Sequence, residues 1–158
     1  MNGTQIAEKL KSNCVTAPYF IGICSQDELV NIPRKRDGQH VKPNSFIVVN
    51  TDTENGMGKH WVSLFIFDDH YTEFFDSLAH YPDYYSSNFT KFLKQVCSKF
   101  AMNTREIQSQ TSTMCGEFCI YYCYHRCLGK SFRNIINTFS STNLNSNDKI
   151  VHQFTASL

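Results

Sequence analysis

The stretch QSQTSTMCGEFCIYYCYHRC (108–127) carries four cysteines, Cys115, Cys119, Cys123 and Cys127, spaced four apart. Such a run belongs either to a small metal-held unit or to a buried helix of a larger domain. A zinc site needs ligands that converge, but residues four apart on a helix advance by about 40° per step, so four of them spread over roughly a third of the circumference. They cannot wrap one ion, and no CxxC or CxxxH cluster elsewhere offers the other half of a site. No metal is expected. The run reads instead as a buried helix reaching Leu128 and stopped by Gly129, with Cys119, Cys123 and Cys127 packing as small apolar residues.

Cys115 differs from the other three. It follows the polar loop SQTSTM and opens the helix, where unpaired backbone amides and the helix dipole favour a thiolate and so a nucleophile. Gly116 is expected to leave room for a substrate backbone, and the Cys115 N–H to face a developing oxyanion. A nucleophile needs a base. His60 stands at a Gly-rich loop-to-strand junction, where the sheet holds the backbone and the side chain reaches a cleft. His40 reads as loop and His70 as turn, and His80, His125 and His152 lack that placement. The acid orienting the imidazole is expected near the end of an adjacent strand, which fits Asp76, whereas Asp68 and Asp69 read as turn residues. Gln108 and Gln110 are both candidates for a side-chain amide in the oxyanion hole.

Outward from this helix the chain alternates element types. A first helix, capped by Thr4, carries Ile6, Ala7 and Leu10; SFIVVN (45–50) and HWVSLFIF (60–67) read as strands, the second apolar on both faces and therefore central. After an Asp68-Asp69 turn, YTEFFDSL forms the partner strand and returns Asp76 toward His60. SSNFTKFLKQVCSKF (86–100) is an amphipathic helix capped by Ser86 or Ser87, and TREIQ (104–108) a short strand. Helices over 131–139 and from about 145 onward follow, the last burying Ile150, Val151 and Phe154. This order is an α+β layout, expected as one domain over 1–158.

Composition narrows the function classes. Net charge is +1, so charge alone does not imply nucleic acid. Seven cysteines, unevenly spaced behind a start with no signal-type apolar core, imply reduced thiols and an intracellular chain without a membrane span. PRKRDGQHVKPN (33–44) reads as a polar surface loop whose PRKR is of nuclear-import type.

Four ordered segments carry a resemblance to a known family: APYFIG (17–22), NTDTENGMGKHW (50–61), FFDSL (74–78) and QSQTSTMCGEFC (108–119). Together they resemble the adenain family, the adenovirus-type cysteine endopeptidases with relatives in adenovirus-like viruses and virus-like transposons. The resemblance implies a central mixed β-sheet packed between helices, as in the proteases of ubiquitin-like proteins. It implies Cys115 as nucleophile, His60 as base, Asp76 as orienting acid where many members have Glu, and Gln108 with the Cys115 N–H as oxyanion hole. Trp61 is expected beside the imidazole and, with Gly116, against substrate. The implied role is cleavage of viral precursor polypeptides next to small residues during virion maturation, by a monomer in the virion and the host nucleus or cytoplasm. Removal of ubiquitin or SUMO, or an inactive binding module, are the alternatives. Adenovirus members use a disulfide-linked activating peptide and DNA; Cys97 lies at a comparable distance before Gln108, within the amphipathic helix, which favours burial.

Overall fold

The computed structural model describes residues 1–32 and 42–158; the PRKR run, His40 and most of the 33–44 loop lie outside them. In chain order the elements are α1 (Gly3–Ser12), β1 (Phe20–Ser25), β2 (Ser45–Asn50), β3 (Trp61–Ile66), β4 (Tyr71–Phe75), α2 (Ser87–Val96), β5 (Lys99–Met102), α3 (Cys115–Cys127), α4 (Phe132–Asn137) and α5 (Leu144–Ala156). The strands form one sheet in the order β1-β2-β3-β4-β5. Its middle is antiparallel, while β1 pairs β2 and β5 pairs β4 in parallel. This is the expected α+β architecture with a central mixed sheet.

Alternating side chains build two cores, one on each face of the sheet. Phe46, Val48, Phe65 and Phe75 point to the layer of α1, α3, α4 and α5, whereas Ile47, Val49, Val62, Leu64, Ile66 and Phe74 point to α2 and the 3₁₀ turn Glu28–Asn31. β3 lies at the centre, as its two apolar faces require. Helix α3 is buried from Gly116 to Cys123, since it packs on the sheet and on three other helices. Cys119 and Cys123 are fully buried in this contact, and burial pushes both thiols well up, which keeps them protonated. Gly129, at φ +82, turns the chain out of α3.

Several local expectations change. Asn2, not Thr4, caps α1, through a reciprocal pair of hydrogen bonds with Gln5. The helix expected to run to Phe100 ends at Val96, Cys97 is extended, and Lys99–Met102 joins the free edge of β4. Phe100 suits the apolar stripe of either element, so period alone did not place the break. TREIQ is not a strand: the N–H groups of Ile107 and Gln108 converge on the Ser77 carbonyl instead. β1 was not anticipated as a strand. On α5, Val151 is buried and Phe154 half-buried, but Ile150 is 38% exposed because it falls off the inward stripe.

Candidate active site

A cleft of about 730 Å³ opens where the ends of the central strands meet the start of α3, and His60, Gln108 and Cys115 all line it. The loop entering β3 is built around two side chains. Asn50 Oδ1 accepts from the N–H groups of Asp52 and Lys59, and the Asp52 carboxylate accepts from Thr53 and Gly58. A Cβ at Gly56 would fall 2.2 Å from Asp52 Cγ, and Gly58 takes φ +81, so both positions need glycine. The loop closes with Thr51 N–H donating to the His60 carbonyl at 2.8 Å, and His60 enters the cleft 7% exposed.

Ser63 pairs with Phe75 across β3 and β4, and one further step of that register puts Asp76 opposite Val62, on the same face as His60. His60 Nε2 and Asp76 Oδ1 lie 2.6 Å apart. Asp76 also accepts from the N–H groups of Leu78 and His80 and from the Tyr85 hydroxyl. Burial by itself would raise this carboxyl, but the His60 hydrogen bond and charge, the Leu78 N–H and the Tyr85 hydroxyl hold it below its ordinary value. Burial by itself would lower His60; hydrogen bonds and charge from Asp76 and Cys115 outweigh it and raise the imidazole to about 9. With Nε2 engaged by Asp76, Nδ1 is the ring nitrogen left for the Cys115 thiol.

Gln108 is 2% exposed; its Oε1 accepts from the Ser77 hydroxyl at 2.6 Å and its Nε2 donates to the Ser112 carbonyl at 2.9 Å. One Nε2 hydrogen remains for the cleft. Gln110 lines the same cleft, but its Nε2 donates to Glu106.

Two expectations are corrected here. A Cβ at Gly116 would meet Ile6 Cδ1 at 2.8 Å, so the missing side chain admits helix α1, not a substrate backbone. Trp61 lines the cleft, sends its Nε1–H to the Met1 carbonyl and covers Gly3, but the ring stacked on His60 is Tyr85, with centroids 5.6 Å apart. Cys97 is buried at the end of α2 with its thiol donating to the Leu93 carbonyl.

Sequence reasoning missed Tyr85, His80, Asn103 and Ser77. Asn103 Oδ1 accepts from Asp76 N–H and its Nδ2 donates to the Asp76 carbonyl, prolonging the β4–β5 pairing by a side chain. His80 Nδ1 lies 3.0 Å from the Tyr85 hydroxyl. Adjacency to Asp76 was the available signal for Ser77; His80 four residues on, Tyr85 in a later turn and Asn103 after β5 left no pattern. Among the described residues no three His, Cys, Asp or Glu side chains form a metal-sized cluster.

No protein-family model matches the chain. The protein named "Protease" of bovine adenovirus 7 is 25% identical over 132 residues, 68% of this chain and 65% of that protein. Its namesake in bovine adenovirus 4 is 29% identical over 101 residues, 55% of this chain and 50% of that protein. The chain resembles the adenain-type proteases of these viruses. The chain spans less than two thirds of the curated relatives it matches. Among solved structures, an ASFV protease superposes with TM-score 0.63 at 19% identity, over 95% of this chain and 65% of the other. The central domain of an uncharacterized Legionella pneumophila protein superposes with TM-score 0.54 at 12% identity, over 99% and 94% respectively. At such identities these two neighbours show a shared fold alone. No helix among the described residues is long and apolar enough to cross a membrane.

Proposed function

We propose that this chain is a viral thiol endopeptidase that cleaves precursor polypeptides during particle maturation. The observation that carries the reading is an imidazole bonded to Asp76 in a cleft that Cys115 and the amide of Gln108 also line. The pair works as thiolate and imidazolium, the thiol proton of Cys115 lying on His60, and the sulfur attacks the peptide carbonyl carbon. The carbonyl electron pair moves onto oxygen, where the free Gln108 N–H and the backbone N–H of Cys115 receive it. Collapse of this intermediate expels the amine, which takes its proton from His60. Water, deprotonated by His60, then opens the thioester and restores the thiol. Asp76 keeps the ring oriented and its charged form stable throughout. The adenovirus relatives named Protease support a protein substrate, and precursor polypeptides in the virion and the infected cell are the setting proposed for it. A peptide or DNA activator belongs to the same proposal as an optional input.

Glycine-rich precursor peptides are the test substrates. The parent chain is expected to cleave them, whereas Cys115→Ala and His60→Ala fall by at least about 10³-fold. Equal cleavage by all three removes the mechanism. Iodoacetamide should label Cys115 of the parent at neutral pH faster than an ordinary thiol; a slow thiol there would indicate a binding module. Faster cleavage of a ubiquitin- or SUMO-terminal probe would move the substrate to modified proteins.

A further inference from the structure

Ser77 is fully buried, next to Asp76 in the chain, and touches no atom that reacts in the proposed cycle. Its contacts nevertheless converge on one residue. The Ser77 carbonyl accepts from the Gln108 N–H at 3.1 Å and from Ile107 N–H at 2.8 Å, while its hydroxyl donates to Gln108 Oε1 at 2.6 Å. Gln108 is thus gripped at its backbone and at the tip of its side chain by the same serine.

The tip contact fixes which way the amide faces. The Ser112 carbonyl can only accept, so the nitrogen must lie on its side and the oxygen on the side of Ser77. A second Nε2 hydrogen then points away from both partners. Without the Ser77 hydroxyl, Oε1 is left buried with no donor, and the amide gains a reason to turn toward any other donor within reach. Asp76 and Ser77 form one dipeptide whose first side chain orients the base and whose second orients the oxyanion donor.

We propose that Ser77 is a positioning residue that sets the Gln108 amide for transition-state stabilisation. This rests on the thiol-endopeptidase reading. Alkylation by iodoacetamide needs the thiolate but develops no oxyanion, whereas acyl transfer needs both. A peptide aldehyde also needs both: Sγ bonds to the aldehyde carbon and the carbonyl pair moves onto oxygen, inside the hole.

The experiment compares the parent, Ser77→Ala, Ser77→Thr, Gln108→Ala and the Ser77→Ala/Gln108→Ala double variant, each checked for a parent-like melting transition. A missing oxyanion donor costs about 10²–10³ in kcat, so a mis-set one is expected to cost roughly 10–10²-fold. Ser77→Ala should therefore lose roughly that factor in kcat with little change in KM, weaken aldehyde inhibition by a similar factor, and leave the alkylation rate of Cys115 within about twofold. Ser77→Thr keeps the hydroxyl and should recover most of the loss. The double variant should be no slower than Gln108→Ala, because residues acting as one unit are not additive. Unchanged kcat in Ser77→Ala, alkylation falling in step with kcat, or additive losses would each overturn the inference. If Ser77→Ala does not fold, Ser77→Cys, of similar size and a weaker donor, is read by the same criteria. Failure of the wider reading looks different: the parent and Cys115→Ala would then be equally inactive or equally active.

Discussion

Asp76 is buried without exposure, yet each of its carboxylate oxygens has its own donors: His60 and Leu78 N–H on Oδ1, His80 N–H and the Tyr85 hydroxyl on Oδ2. This arrangement sets the pH response. His60 is raised from 6.5 to about 9 in the fold, so the pair's contribution to stability is full below about 6.5 and is lost as the pH rises through about 9. Asp76 is lowered, so its share is present above its ordinary 3.8 and is lost as the pH falls through its lower folded value. Between those limits both partners are charged. With the imidazolium as the working form of the proposed pair, kcat/KM is expected to have its alkaline limb near pH 9. Replacing Asp76 by Asn removes the charge that raises His60; the limb should then move toward the ordinary histidine range and kcat fall by roughly 10²-fold. A pH–rate series on both proteins checks this, and a limb fixed near 9 in the variant would assign it to another group. At this scale the sequence pointed to the candidate residues but not to their supports. Cys115, His60, Asp76 and Gln108 carry local context, whereas Tyr85 reaches Asp76 across a turn whose geometry depends on Ala79 at φ +59 and on the packing of α2.

Among the elements, those whose burial is two-sided were legible. β2 and β3 display apolar residues to both faces, and α3, apolar but for Glu117 from Gly116 to Cys123, is buried around its whole girth there. β5 was hidden because Lys99–Met102 is too short to show a period and adjoins a helix with the same residues in its stripe. Gly116 was misread for a related reason: a glycine after a nucleophile suggests access, and only the docking of α1 shows that Ile6 fills the space. The packing reading has its own consequence. Gly116→Ala adds helix propensity worth about 1 kcal/mol, but it drives Ile6 Cδ1 from a site with 0% exposure, at an overpacking cost of about 1–3 kcal/mol. A net loss of about 1 kcal/mol is expected in chemical denaturation. Adding Ile6→Val removes the clashing carbon, so the double variant should be up to about 1 kcal/mol more stable than Ile6→Val alone. A single Gly116→Ala as stable as the parent would show that Ile6 can step aside.

For the whole molecule, the candidate site lies on a seam: His60 and Asp76 come from the ends of two strands, while Cys115 comes from the helix packed on the sheet's other face. The two layers must therefore keep their spacing for thiol and imidazole to meet. At the far end of α3 they are pinned by a second polar cluster that sequence periodicity does not reveal. Glu73 of β4 receives Arg126 Nε at 2.8 Å and the Tyr122 hydroxyl, and the Arg126 guanidinium lies over the ring of Phe67, 4.6 Å from its centroid. Side-chain exposure of the pair is 9% for Arg126 and 3% for Glu73, so removing one charge strands the other in a poorly solvated place. Such a loss costs about 3–5 kcal/mol, whereas replacing both partners by apolar residues of similar volume is often neutral. Glu73→Gln is accordingly expected to lower the denaturation midpoint by about 3 kcal/mol equivalent with an unchanged slope, and Glu73→Leu with Arg126→Met to regain most of it. Neither change touches the cleft, so kcat/KM well below the melting transition should stay within about twofold of the parent. If Glu73→Gln instead lost turnover while keeping its stability, the spacing of the layers would be set at the cleft itself, and the cluster would be transmitting a displacement along α3 to Cys115.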